Sequence, residues 1–238
     1  MKSQVVTENS YRPIGRNTGF LPAPAEQVKR GPGRPKTPVT REMLIAHARA
    51  AFGEVGYARA SMDVIARRAG LRKSSLFHHF GTKDELYLAV FADILGELGG
   101  FVDVARVGEG TFAERLHTLS LTVTRYLGTH PEVSAIVLRE FIDRGVFAEG
   151  AGKHIVEGVL QAITAFLDEG TRAQSGKKSD RPAADPKHLA LSITGLHLCY
   201  FATHETSAEL LGRSPFSADE IERRAFAISA QVLAMCGC

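Results

Sequence analysis

Within one stretch of eight residues, six carry side chains suited to hydrogen-bond chemistry on another molecule, Arg72, Lys73, Ser74, Ser75, His78 and His79, and Phe77 faces outward among them. Long, thin cations beside small hydroxyls match the acceptor-rich edges of bases and the oxygens of phosphates. A bidentate arginine contact of that kind is worth ~1–3 kcal/mol of base discrimination. Leu76 and Phe80 recur at i and i+4, which predicts a helix over 72–80 anchored by those two and outward on its other sides. For Arg72 and Lys73 the competing reading is solvated surface charge. For His79 it is packing against the preceding helix, and neither histidine has a ligand set suited to a metal.

Such a helix must be held by others. Ser61 suits the N-cap of a short helix with Asp63 in its first turn and Met62, Ile65 and Ala69 along one face. Gly70 stands where a left-handed C-cap residue is needed, so the pair reads as a helix-turn-helix. Upstream, Thr40 caps a helix predicted to reach residue 55. Val39 and Leu44 form a staple there, Leu44, Ile45, Ala48 and Phe52 form the buried stripe, and Gly56 is the stop. Tyr57 is expected to fold back on this small core. Thr82 and Glu85 form a capping box opening a helix lined by Leu86, Val90, Ile94 and Leu98, expected to end at Gly99-Gly100.

The remainder reads as helical too. Thr111 and Glu114 form a second box, and Pro131 opens a helix expected to run through Phe147. Residues 153–169 are apolar on nearly every side and predict a buried helix. Asp185-Pro186 starts the next helix, and Ser217 with Glu220 forms a third box, stapled by Phe216 and Ile221, before a last helix to about residue 235. No segment sustains strand alternation. The expected fold is all-α with about nine helices, three of them in a small N-terminal head.

Charge divides the chain. Residues 1–85 hold 15 Lys/Arg against 7 Asp/Glu, and residues 86–238 hold 14 against 19, so a net +8 front precedes a −5 back. That asymmetry points only the front toward a polyanion. Residues 1–38, with six prolines and few aliphatics, read as a disordered basic arm. It ends in KRGPGRPKTP, where Arg34 and Lys36 suit an A·T-rich minor groove or serve as a solvated linker.

Cys199, Cys236 and Cys238 form no disulfide framework or metal pattern, and the terminal pair reads as frayed, reduced thiols. No apolar run fits a secretory signal, and Leu189–Thr203 falls short of the roughly 18–20 residues of a span, so a cytoplasmic protein without membrane contact is expected. Glu140, Asp143 and Arg144 read as a solvated ion-pair face. No catalytic triad order, phosphate loop or zinc spacing occurs, so no catalytic residue, metal or cofactor is expected.

The block from Thr40 to Leu86 contains LIAHARAAFGEVGY, IARRAG, LFHHF and TKDEL at a characteristic spacing. In this it resembles the TetR family of transcriptional regulators, with HPEVSAIVLREFIDRG and GRSPFS–DEIE echoing the family's general texture. The resemblance implies a helix-turn-helix DNA-binding domain over 39–85 and a helical effector-binding and dimerisation domain over 86–238. It also implies a homodimeric repressor that leaves double-stranded palindromic DNA when a small-molecule effector binds. Carried onto matching positions, Thr40 and Ser61 become phosphate-contacting caps, Arg72 to Ser75, His78 and His79 face the groove, and Lys83 clamps a phosphate. Two positions depart from the pattern: Arg72 replaces a hydroxyl cap, and Phe77 replaces a tyrosine whose hydroxyl meets phosphate.

In the body, Phe112, His117, Tyr126, Phe141, Phe166, His197 and Tyr200 are candidates to line an apolar cavity with polar fixing points, or to be plain core. The nearly chargeless helix Leu189–Thr203 together with Ile221–Met235 is the candidate dimer interface, as an intersubunit four-helix bundle, or else the internal core of a monomer. An architectural DNA-binding protein without an effector, or a helical enzyme that kept the basic head, are the alternatives.

Overall fold

A computed structural model describes residues 40–143, 150–174 and 185–238. The arm with Arg34 and Lys36, Val39, the stretch 144–149 toward Phe147 and the loop 175–184 lie outside the described residues. Ten helices follow: α1 (Arg41–Arg59), α2 (Met62–Arg68), α3 (Lys73–His79), α4 (Lys83–Val107), α5 (Phe112–Thr129), α6 (Pro131–Asp143), α7 (Ala151–Gln174), α8 (Pro186–Ala202), α9 (His204–Leu211) and α10 (Ala218–Met235).

Local chemistry sets most boundaries. Thr40 accepts from the Met43 amide and Ser61 from that of Asp63, each filling one of the orphan donors at a helix start. Gly70 has φ +69, and the Leu71 amide reaches back to the Ala66 carbonyl, closing α2 before α3 begins. Thr111 and Glu114 form the full reciprocal box. At α4 only half of it exists: Thr82 caps Glu85, while the Glu85 carboxylate accepts from the Gly81 amide instead.

Several expectations need correcting. Gly56 does break the first helix, at φ +75 and ψ 167, but one further turn carries the chain to Arg59. The fourth helix continues through Gly99-Gly100 for 25 residues. Tertiary packing overrides the glycine cost of about 1 kcal/mol each, because Leu95, Val102 and Ala105 are all buried and α4 packs along α7, with Gly99 facing Val159. The helix expected to be buried on every side, α7, is half-buried, with only Phe166 and Leu167 among its large side chains fully enclosed. A tenth helix, α9, had no periodic signal because it buries nothing. Ser217 makes no side-chain cap, because its hydroxyl donates to the Ser214 carbonyl at 3.1 Å, and the Glu220 carboxylate that would complete a box is held by Arg213 at 2.5 Å and Arg223 at 3.2 Å.

Glu140 is buried rather than solvated, accepting from the Tyr87 hydroxyl at 3.2 Å. Cys236 is buried at the end of α10 rather than frayed, and burial pushes its thiol up to about 12.

Two apolar clusters hold the chain together. One joins the head to the upper body through Leu44, Phe52, Ile65, Leu76, Phe80, Leu86 and Phe91. The other lies at the far end, around Phe112, Leu116, Phe166 and Ile228. The most extensive helix pairing is α5 on α10, while α1 lies against both α4 and α6. Among the described residues no helix is long and apolar enough to cross a membrane, and no three side chains gather to hold a metal.

Candidate nucleic-acid interface and effector cavity

Leu76 and Phe80, both essentially inaccessible, pin α3 onto α1 and α2. Arg72, Lys73, Ser74, Phe77, His78 and His79 are exposed and Ser75 is half-buried. The outward faces of Arg72 to Ser74 thus carry two cations and a hydroxyl with no apolar wall in front of them. Lys73 Nζ sits 3.0 Å from Asp63 Oδ2 and 5.8 Å from the centre of the Phe77 ring, so it is held across the α2–α3 turn in a definite direction. Arg72 occupies the N-cap without a side-chain hydrogen bond, as expected for a residue that cannot cap.

Three supporting residues were not anticipated. Arg41 donates to the His79 carbonyl at 3.2 Å and lies 4.2 Å over the Phe80 ring, which fixes the end of α3 to the start of α1. A cation in a helix's first turn opposes the dipole, and that mismatch was the signal that Arg41 needed a partner. Asp63 positions Lys73. Tyr57 bonds Asp84 and lies beneath the Lys83 ammonium, 4.2 Å from the ring centre, while Lys83 reaches the Ala58 carbonyl at 3.4 Å. Burial, then the Asp84 contact, pushes the Tyr57 phenol up to about 12.

The head meets the body through Arg49. Its guanidinium lies 2.8 Å from Glu132 on α6, 2.9 Å from Glu97 and 3.5 Å from Asp93 on α4, and 2.6 Å from the Tyr126 hydroxyl on α5. Tyr126 also donates to Glu97. Burial alone would push Glu97 up, but the bonds from Tyr126 and Arg49 prevail and hold its carboxyl below the usual range. Beside this cluster, Gly53 lets α1 and α6 touch: a Cβ there would fall 2.9 Å from the Glu132 Cα. Ile45, Arg49 and Phe52 share one helical face, so an arginine inside an apolar stripe was the legible sign of a buried ionic contact.

Behind this cluster lies a cavity of about 100 Å³ walled by α4, α5, α6, α7, α8 and α10. Its lining is leucine, valine and isoleucine apart from Phe141, Ser120, Thr194 and His197. Of the seven body candidates, the fold brings only Phe141 and His197 to this wall. Phe112 and Phe166 pack on each other at 5.3 Å, and His117 bonds Ser229 at 2.6 Å across to α10. Tyr126 belongs to the Arg49 cluster, and Tyr200 donates to Glu220 at 3.3 Å with Arg224 above its ring. Periodicity marks which residues turn inward but not which of the inward ones border empty space.

From Leu191 on α8 and from Phe226 on α10, the faces turned to solvent carry no charged residue, whereas the opening turns expose Lys187 on α8 and Asp219 and Arg223 on α10. Leu191, Ser192, Gly195 and Cys199 are exposed on α8, and Phe226, Ala227, Ala230 and Ala234 on α10. Leu191 and Phe226 are 62% and 56% accessible.

The description "Bacterial regulatory proteins, tetR family" matches residues 44–90, the stretch that builds the helix-turn-helix. Over 159 residues the chain is 22% identical to the "Uncharacterized HTH-type transcriptional regulator YhgD" of Bacillus subtilis, covering 66% of this chain and 80% of that one. It is 27% identical over 173 residues to the HTH-type transcriptional regulatory protein RaaS of Mycobacterium tuberculosis, covering 70% and 76%. Its fold is similar to that of the transcriptional regulator FadR from Bacillus subtilis in complex with stearoyl-CoA, with a TM-score of 0.63, 18% identity and coverage of 83% and 97%. With its all-helical fold and its helix-turn-helix head, the chain belongs to the TetR family and is a DNA-binding transcriptional regulator.

Proposed function

We propose that this regulator acts in the cytoplasm as a homodimeric repressor that leaves a near-palindromic operator when a small molecule enters its helical body. The observation that carries the reading is the continuity of the parts. An exposed cationic α3 is fixed to α1, and α1 is tied through Arg49 to α4, α5 and α6, which also wall the cavity. A ligand that favours a different spacing of those helices changes the position of the head, and only such differential affinity shifts the balance between the bound and released states.

In this reading Arg72, Lys73, Ser74, Ser75, His78 and His79 face the major groove. Thr40 and Ser61 keep a hydroxyl proton for phosphate while their oxygens cap α1 and α2, and Lys83 meets the backbone. Arg34 and Lys36 of the arm reach the neighbouring minor groove. Two subunits pair through the uncharged C-terminal parts of the α8 and α10 faces, setting their heads about 34–36 Å apart, one helical turn of DNA. FadR is described in complex with stearoyl-CoA, and that similarity of fold supports an effector site in the body of this chain.

The test is a duplex selection from random DNA, followed by sedimentation of the free protein and of the complex. The expected result is a palindromic sequence bound by two chains or a multiple of two. Binding that remains blind to sequence at physiological salt would overturn the reading.

A further inference from the structure

We infer that the effector is an uncharged, mainly aliphatic molecule with one hydrogen-bonding group, and that free carboxylic acids and amines are excluded. The inference rests on the ligand-release reading above and names the chemical class that the cavity accepts. No Asp, Glu, Lys or Arg occurs in the lining. A carboxylate or ammonium entering it would lose its water and meet no counter-charge, the costliest of transfers into an apolar site.

The three polar residues narrow the choice further. His197 Nδ1 lies 2.8 Å from the Ile193 carbonyl, which can only accept, so Nδ1 carries the proton. Its Nε2 is then the acceptor for the Ser120 hydroxyl at 3.3 Å. These two residues satisfy one another, and burial, outweighing those bonds, holds the imidazole below the usual histidine range and therefore uncharged. Among the polar residues of the wall, Thr194 alone makes no side-chain hydrogen bond to another described residue. One free polar group in an otherwise aliphatic chamber fits one alcohol, ester, amide or ketone function on an aliphatic frame.

Size adds a second constraint. A dry cavity of about 150 Å³ accepts benzene, so the 100 Å³ here holds a smaller group without movement. Longer chains must part the helices to enter.

The test uses the full-length protein with two matched series, primary alcohols from butanol to dodecanol and the carboxylates of equal length, at pH 8. Binding is measured by calorimetry, and release by anisotropy of a labelled duplex that the protein itself selects. The alcohols are expected to bind at least about 100-fold more tightly than the carboxylates of equal length. Affinity should rise roughly fourfold per methylene while the chain stays within the apolar walls. Thr194→Val should weaken octanol about fivefold to tenfold. Ile163→Phe should abolish octanol binding, with Leu160→Phe as the second variant and circular dichroism reporting the fold of each. Carboxylates binding as tightly as alcohols, or no member of the alcohol series binding, overturns the inference. Alcohols that bind with the stated preference yet never loosen the duplex uphold the inference and refute the release reading instead.

Discussion

Removing the guanidinium of Arg49 offers the sharpest test of how the head is held. Arg49→Ala deletes bonds of 2.8 Å to Glu132, 2.9 Å to Glu97 and 2.6 Å to Tyr126, together with the weaker 3.5 Å contact to Asp93. Stripping one member from a fully buried ion pair costs about 3–5 kcal/mol, because a charge is stranded without water. Here the arginine side chain is 9% accessible, but Glu97 and Asp93 are 43% and 44% accessible and Glu132 is 21%. The carboxylates left behind can hydrate, so the expected loss falls to about 2–4 kcal/mol, including the packing of the arginine stem. For a chain of this size that is a fall in Tm of roughly 4–16 °C.

Arg49→Met keeps the stem and should recover part of the loss. Glu97 is held below its usual range, so its contribution is present above the unfolded carboxylate value and vanishes as pH falls through the folded one. The gap between wild type and variant should therefore narrow in acid. Urea titrations of both proteins at one fixed concentration, from pH 7 down to pH 3, read this directly. A difference below about 0.5 kcal/mol at pH 7, the scatter of an ordinary surface change, would refute the reasoning, as would a gap that does not narrow in acid.

Other outcomes follow from the same contacts. Lys83→Ala should weaken binding to every duplex and reduce the salt slope by about 1, whereas Lys73→Ala should mainly relax sequence preference; anisotropy on selected and random DNA separates the two. Phe77→Tyr places a hydroxyl at an exposed point of α3 and should tighten DNA binding by about 1 kcal/mol through a phosphate contact, measured by the same titration. Gly170→Ala would put a Cβ 2.1 Å from the Phe112 ring, and thermal unfolding should report a loss of about 1–3 kcal/mol. Gly70→Ala meets no atoms but is strained at φ +69, so about 1 kcal/mol should be lost in the same assay.

The head was almost wholly legible in the sequence. Thr40, Ser61, Gly70 and Thr82 act within a few residues of themselves, so their types alone locate α1 to α4. What escaped depends on partners far along the chain. Gly99-Gly100 looks like a stop until α7 is packed beside it. Ser217 and Glu220 look like a capping box until the Ser217 hydroxyl turns to the Ser214 carbonyl and Arg213 and Arg223 claim Glu220. Tyr126 looks like a cavity residue until Arg49, 77 positions away, takes its hydroxyl. The cavity was the least legible part, since its wall is drawn from six helices and a void leaves no periodic mark.

The bare approach of α1 to α6 at Gly53 has a mechanical consequence. Glu132 supplies a fulcrum near one end of α6, and Phe141 stands nine residues along the same rod, about 13.5 Å away at 1.5 Å per residue. Pushing Phe141 outward by 1 Å about that pivot swings the rod through roughly 4°. In the release reading proposed above, with no methyl group between the two backbones to absorb the motion, the swing passes along α1 to Arg41 and so to the end of α3 that Arg41 holds.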